Sequence, residues 1–323
     1  MNAREQEAVL TIALLAAFAD GAKDDREREE IRRIADSLAG EAGAPQLSQL
    51  YQSVLLKRVD VAQAAASLSE PAHKQLAYEM AVCVCDADAV ASDAEQKFLK
   101  QLRTALGLDV QQTSQVEEQA AALADAPLPS IPVAAAPATA QPTGTEPRQA
   151  TLSDAELDKY ILNHSIVNGA IELLPQSLAT MAIIPLQIKL VYRIGQAYGV
   201  QLDKGHIREF LATAGVGLTS QYVEQFGRKL LGGLLGSVAG GLGRGLGRVT
   251  TGAAFSFATT YALGQLAKRY YAGGRQMNTA LIQQTYQSLL GQAKQIQGQY
   301  SSEIQHKAST LDAARVMSMV KNA

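Results

Sequence analysis

Residues 122–150, ALADAPLPSIPVAAAPATAQPTGTEPRQA, hold six of the chain's ten prolines. Proline lacks a backbone donor and clashes with the turn before it, so no helix runs through this stretch. It reads as an extended Pro/Ala-rich tether. The two sides of the tether differ in charge. Residues 1–125 carry 21 acids against 12 bases, a net of −9, whereas residues 151–323 carry 9 acids against 16 bases, a net of +7. The chain therefore divides into an acidic module at 1–121, the linker at 122–150, a basic, glycine-rich module at 151–275 and a Gln-rich C-terminal helix at 276–323.

Composition sets the fold class. Apolar residues make up 47% of the 323 residues, but only 5% are aromatic, and there is no Trp. Thin, closely packed helices suit this profile better than strands, which favour aromatic and β-branched residues. The expected fold is all-α. Two cysteines exclude a disulfide-stapled scaffold, and four scattered histidines leave little material for a zinc enzyme.

On the N-terminal side, Val9, Ile12, Leu15 and Ala16 recur at helical spacing, as do Ile31, Ile34, Ala35 and Leu38. The apolar stretch 8–19 imitates a secretory leader, but Glu5 and Glu7 against Arg4 give it the wrong charge, so a cytoplasmic start is expected. An internal repeat follows. ADGAKDDRE at 19–27 matches ADAVASDAE at 87–95, and each copy sits between two apolar helical stretches. Two helix–acidic loop–helix units packed face to face are the simplest reading. In these loops Asp20, Asp24, Asp25 and Glu27, with Asp88, Asp93 and Glu95, offer hard oxygen ligands to Ca²⁺ or Mg²⁺. The spacing is not that of an EF-hand, and N-capping explains the same acids.

The doubled pattern resembles the TerB-like domains, small helical units associated with bacterial tellurite resistance. The motif is an Asp-Gly turn with a Glu seven residues after the Asp. It stands here as Asp20-Gly21 with Glu27, and as Asp88 with Glu95, where Ala89 replaces the Gly. The resemblance implies an acidic, cation-binding face and a part in stress response rather than catalysis.

On the C-terminal side, Ser153 and Glu156 stand at the spacing of a capping box. Two uncharged runs follow, 173–188 and 249–267, with ten glycines between them at 227–252. Gly232, Gly236 and Gly240 repeat at i+4, as do Gly233, Ser237, Gly241 and Gly245, stripes that let helices approach closely in lipid or in a tight bundle. From Gln225 to Ser302 there is no acid, against Arg228, Lys229, Arg244, Arg248, Lys268, Arg269, Arg275 and Lys294. Bases beside marginal apolar runs are what an anionic cytoplasmic leaflet attracts, and Arg228, Lys229, Arg244, Arg248, Lys268 and Arg269 are the expected lipid contacts. The same runs could instead form a bundle core, since neither reaches twenty clean apolar residues. The order Glu172-Leu-Leu-Pro, Ile184-Pro185-Leu186-Gln187, Tyr192-Arg193-Ile194-Gly195 and Tyr198-Gly199-Val200 resembles the helical domain appended to bacterial Era-like GTPases of the YcjF type, whose members are regarded as membrane-associated. The GTPase motif itself is missing from the sequence. In the tail, Ile282, Tyr286, Leu289, Ala293, Ile296 and Tyr300 form a heptad-like seam that favours intramolecular packing over a self-associating coil.

No catalytic constellation emerges. Cys83 and Cys85 at i, i+2 point to opposite sides of a helix, Glu172 beside an apolar run fits a functional intramembrane carboxylate and an interfacial helix start equally well, and the glycines at 241–247 lack the strand and Lys of a phosphate loop. The sequence thus reads as a non-enzymatic bacterial stress-response or scaffold protein at the inner membrane, with an acidic module for divalent cations or a basic partner. It carries no nucleotide or nucleic-acid signature, and homo-oligomerisation is compatible with it. The rival readings are a soluble helical interaction module and a membrane-perforating protein, the latter resting on the glycine stripes alone.

Overall fold

The computed structural model describes residues 1–21, 32, 47–86, 92–124, 128, 148–174, 179, 181–216, 221–225, 227 and 251–322. Among these residues every regular element is a helix, and no strand occurs, so the chain is all-α. Asp24, Asp25, Glu27, Asp88, Arg228, Lys229, Arg244 and Arg248 lie outside the described residues, as do the glycine stripes.

The first module is built around α1 (Ala3–Ala17). Asn2 caps it, accepting from the Glu5 amide, while Glu5 reaches back to the Asn2 amide. Val9, Leu10, Ile12, Ala13 and Leu14 are buried because α2 (Leu47–Leu55), α3 (Val61–Ala66) and α4 (Pro71–Cys85) pack around α1. The acidic segment after Cys85 is followed by α5 (Asp93–Leu106), and α6 (Val110–Ala124) closes the module against α4. The first helices of the two repeat units, α1 and α4, therefore do face each other. Ser69 Oγ donates to Glu5 Oε1 at 3.2 Å and His73 Nδ1 lies 3.2 Å from the same oxygen, fastening the two helix starts together.

The second module begins where Arg148 and Thr151 donate their backbone amides to the carbonyls of Ala272 and Ala197. The Ser153–Glu156 capping box then opens α7 (Asp154–Glu172), as its spacing predicts. After α8 (Ile183–Ala197), α9 (Lys204–Thr213) and the helical residues 221–225 comes α10 (Thr251–Ala272), the central helix. It packs against α7, α8 and α11 (Thr279–Ile296), which bury Phe257, Ala262, Leu263, Leu266 and Tyr271. Glycine sets the closeness of α7 and α10: a Cβ on Gly264 would stand 2.7 Å from Ile161 Cγ2.

The described parts of the apolar runs are core in this structure. Ile183, Ile184, Leu186, Leu190 and Val191 are buried in α8, and the second run forms the inner faces of α10. No helix among the described residues is long and apolar enough to cross a membrane. The Gln-rich tail is not one helix but α11, a 3-10 turn (Gln297–Tyr300), α12 (Ser301–Ser309) and α13 (Ala313–Asn322). Ile282, Tyr286, Leu289 and Ala293 turn inward, so the heptad-like seam is spent within the chain. α12 packs on α7, and α13 reaches α6 of the first module while Lys189 donates to the Val320 carbonyl.

Candidate functional site

Three of the acidic-loop residues are described. Asp20 follows α1 in a turn that ends on Gly21, whose φ of +66° explains the glycine of the motif. Asp93 opens α5. Glu95 is buried and spends its carboxylate on the α5 cap: Oε2 accepts from the Ser92 amide at 2.8 Å and from Ser92 Oγ at 2.9 Å. The motif glutamate of the second copy therefore closes a capping box. Among the described residues no group of three or more His, Cys, Asp or Glu side chains is placed to hold a metal ion. Cys83 and Cys85 are both buried on α4, and no disulfide joins them.

Of the expected lipid contacts, Lys268 and Arg269 are described. Lys268 turns back onto α7, with its ammonium 2.9 Å from Asp158 Oδ1 and 3.3 Å from Asp154 Oδ2. Burial works against its charge, but the two carboxylates outweigh that effect and hold its pKa above the ordinary lysine value. Asp158 shows the mirror effect. Burial opposes its ionisation, yet Lys268 and Gln265 together pull its pKa below the usual carboxylate range. Arg269 points to solvent, as do Arg275 and Lys294.

The feature that sequence reading missed lies inside the second module. Asn168 and Glu172 on α7, Gln187 on α8, Gln221 and Gln225 on the helical residues that precede α10, and Ser256 and Thr260 on α10 are all buried polar side chains. Each of the pairs 168/172, 221/225 and 256/260 is separated by four residues, one helical turn, and so shares a helix face. Asn168 Nδ2 donates to Thr260 Oγ1 at 2.9 Å, Gln187 Nε2 donates to the same oxygen at 3.1 Å, and Gln221 Nε2 donates to Gln187 Oε1 at 3.0 Å. One turn away, Ser256 Oγ donates to Glu172 Oε2 at 3.0 Å. The antiparallel run of α7 beside α10 makes these two rungs of one polar seam. Glu172 thus ends α7 in the core, rather than starting a helix at an interface.

Asn168 Oδ1 and Gln221 Oε1 in this seam, and both Oε1 and Nε2 of Gln225 one turn beyond Gln221, are buried with no hydrogen-bond partner among the described residues. Leaving one such group unsatisfied costs about 1–3 kcal/mol. Folded proteins tolerate few of these. The visible signal was polar residues at i+4 inside or beside uncharged runs. Their convergence needed the tertiary arrangement.

With this geometry in place, comparison with known proteins adds one match. A family profile described as "Protein of unknown function (DUF533)" matches residues 1–120. DUF533 is a TerB-like family of uncharacterised function, so residues 1–120 are similar to a family of the kind their repeat resembles. No curated protein and no solved structure matches the chain.

Proposed function

We propose that the protein is a non-enzymatic, two-module helical scaffold that adsorbs to an anionic membrane surface through its second module, leaving the acidic TerB-like module to recruit a basic partner or divalent cations. The observation that carries this reading is the acid-free stretch from Gln225 to Ser302 with its eight bases, of which Arg269, Arg275 and Lys294 are exposed. Attachment by these bases is electrostatic and peripheral. The described parts of the apolar runs are occupied in the bundle core and contribute no anchor in this fold. Each base near an anionic surface contributes about 1 kcal/mol. Reversing Arg269, Arg275 and Lys294 to Glu should therefore weaken co-sedimentation with phosphatidylserine vesicles by a factor of 100 or more. Unchanged binding of a folded triple variant removes these bases from the contact.

Burial of the described parts of both apolar runs supports a second reading, in which the second module is a protein-interaction bundle with no lipid contact. That reading predicts no co-sedimentation of the parent chain at any salt concentration.

A further inference from the structure

A cavity of about 380 Å³ opens in the second module between α9, the end of α10 and the start of α11. Small-molecule sites commonly occupy about 300–1,000 Å³. His206, Glu209, Phe210 and Thr213, three or four residues apart, share the face of α9 that forms one wall. Tyr270, Tyr271, Arg275, Met277 and Ile282 line the cavity from the other side, where the chain reverses sharply after α10. In that turn Gly274 and Arg275 have φ of +68° and +65°, and the Arg275 amide donates to the Tyr270 carbonyl at 2.9 Å. The apolar lining is largely aromatic. Phe210 has its ring centroid 5.0 Å from that of Tyr270 and 6.1 Å from that of Tyr271, and Phe210, Tyr271 and Ile282 are buried.

The charges are at the exposed edge. His206 Nδ1 already lies 2.9 Å from Asp203 Oδ2. Glu209 and Arg275, both exposed, form no ion pair with each other or with any other described residue. Burial and the neighbouring Tyr270 raise the pKa of Tyr271 while the charge of Arg275 works against them, so the guanidinium is felt at the aromatic lining. Arg275 also holds a left-handed backbone that a β-carbon disfavours and glycine adopts freely. An arginine there costs stability, and strain of this kind clusters at ligand sites.

We propose that this cavity binds a free amino acid with a large apolar side chain, its carboxylate on Arg275, its ammonium on Glu209 and its side chain against Phe210, Tyr270 and Met277. Two opposite charges that do not answer each other select a molecule carrying both. A simple anion would meet Glu209 and a simple cation would meet Arg275, and each juxtaposition of like charges is a penalty. An α-amino acid holds its two charges at one end and its apolar group at the other, which matches charged edge and aromatic lining. The site shares Arg275 with the proposed lipid contacts but does not depend on them.

The test is isothermal titration calorimetry of the full chain, without lipid, using L-phenylalanine, L-leucine, N-acetyl-L-phenylalanine and L-phenylalaninamide. L-phenylalanine or L-leucine should bind at one site per chain. Each blocked derivative lacks one charge and should bind at least about tenfold more weakly than L-phenylalanine, the value of one lost charge-assisted hydrogen bond. Glu209→Gln should weaken L-phenylalanine to a similar degree and leave N-acetyl-L-phenylalanine, which has no ammonium, unaffected. Arg275→Gly should abolish binding yet melt at a higher temperature than the parent, because it relieves the left-handed strain; its loss of binding is then not a loss of fold. Arg269→Glu, which bears on the membrane reading alone, should bind as the parent does. No binding of L-phenylalanine or L-leucine at millimolar concentration, equal binding of the blocked derivatives, or full binding by Arg275→Gly would overturn the proposal.

Discussion

Gly264→Ala tests the packing of α7 on α10, because the two effects in play have opposite signs. In a helix interior, Ala is favoured over Gly by about 1 kcal/mol. Against this, the new Cβ would lie 2.7 Å from Ile161 Cγ2, 2.9 Å from Cγ1 and 3.3 Å from Cβ. Carbon atoms in optimal contact stand about 3.5–4.0 Å apart, so the overlap approaches 1 Å. Ile161 is fully buried and β-branched, and its χ1 has almost no alternative in a helix. Overpacking of this kind costs about 1–3 kcal/mol. The clash should win, leaving Gly264→Ala destabilised by about 1–2 kcal/mol in urea unfolding followed by circular dichroism. Ile161→Ala alone should cost about 2–5 kcal/mol. Combining the two removes the clashing atoms and returns a methyl to the vacated space, so the double variant should be more stable than the sum by about 2 kcal/mol. A Gly264→Ala protein that gains about 1 kcal/mol, with additive behaviour in the double variant, would refute the close approach of these helices.

Two further predictions concern a cap and an imidazole. Ser92→Ala should destabilise the first module by about 1 kcal/mol, read from its melting transition, since Ser92 holds both the Glu95 amide and the Glu95 carboxylate. His164 lies over Tyr160 with ring centroids 4.2 Å apart, and burial lowers its pKa below the usual 6.5 while a bond to the Tyr160 carbonyl partly opposes the shift. The folded state therefore binds this proton less readily than the unfolded chain. Its contribution is intact above pH 6.5 and is lost as pH falls below that value towards the folded pKa. Urea midpoints at pH 7.5 and pH 5 should differ less in His164→Phe than in the parent, and an unchanged difference would remove His164 from the acid sensitivity.

How much of this was legible depends on whether the signal was local. The Ser153–Glu156 cap lies within four residues of sequence, and the repeat carries its own turn glycine at position 21, so both could be read directly. The inward face of α11 followed from the spacing of Ile282, Tyr286 and Leu289. Long-range pairing was another matter. Lys268 looked like a flanking base until α7 brought Asp154 and Asp158 beneath it. Glu172 fits a membrane or its interface when only its neighbours in sequence are visible, whereas Ser256, its partner, is 84 residues away. The polar seam joins four helical segments, and no single one of them announces it. Apolar runs that fit a membrane also fit a bundle core, because both environments select uncharged residues and small side chains at close helix contacts.

Flotation of the full chain with vesicles is the measurement closest to the proposed function. It should be run with phosphatidylserine-containing and with purely zwitterionic vesicles, at about 50 mM and 500 mM salt, a range over which screening removes surface attraction. Peripheral adsorption through exposed bases predicts flotation with the anionic vesicles at low salt, release at high salt, and none with zwitterionic vesicles. A chain that floats equally at both salt concentrations, or that never floats, would contradict the proposal.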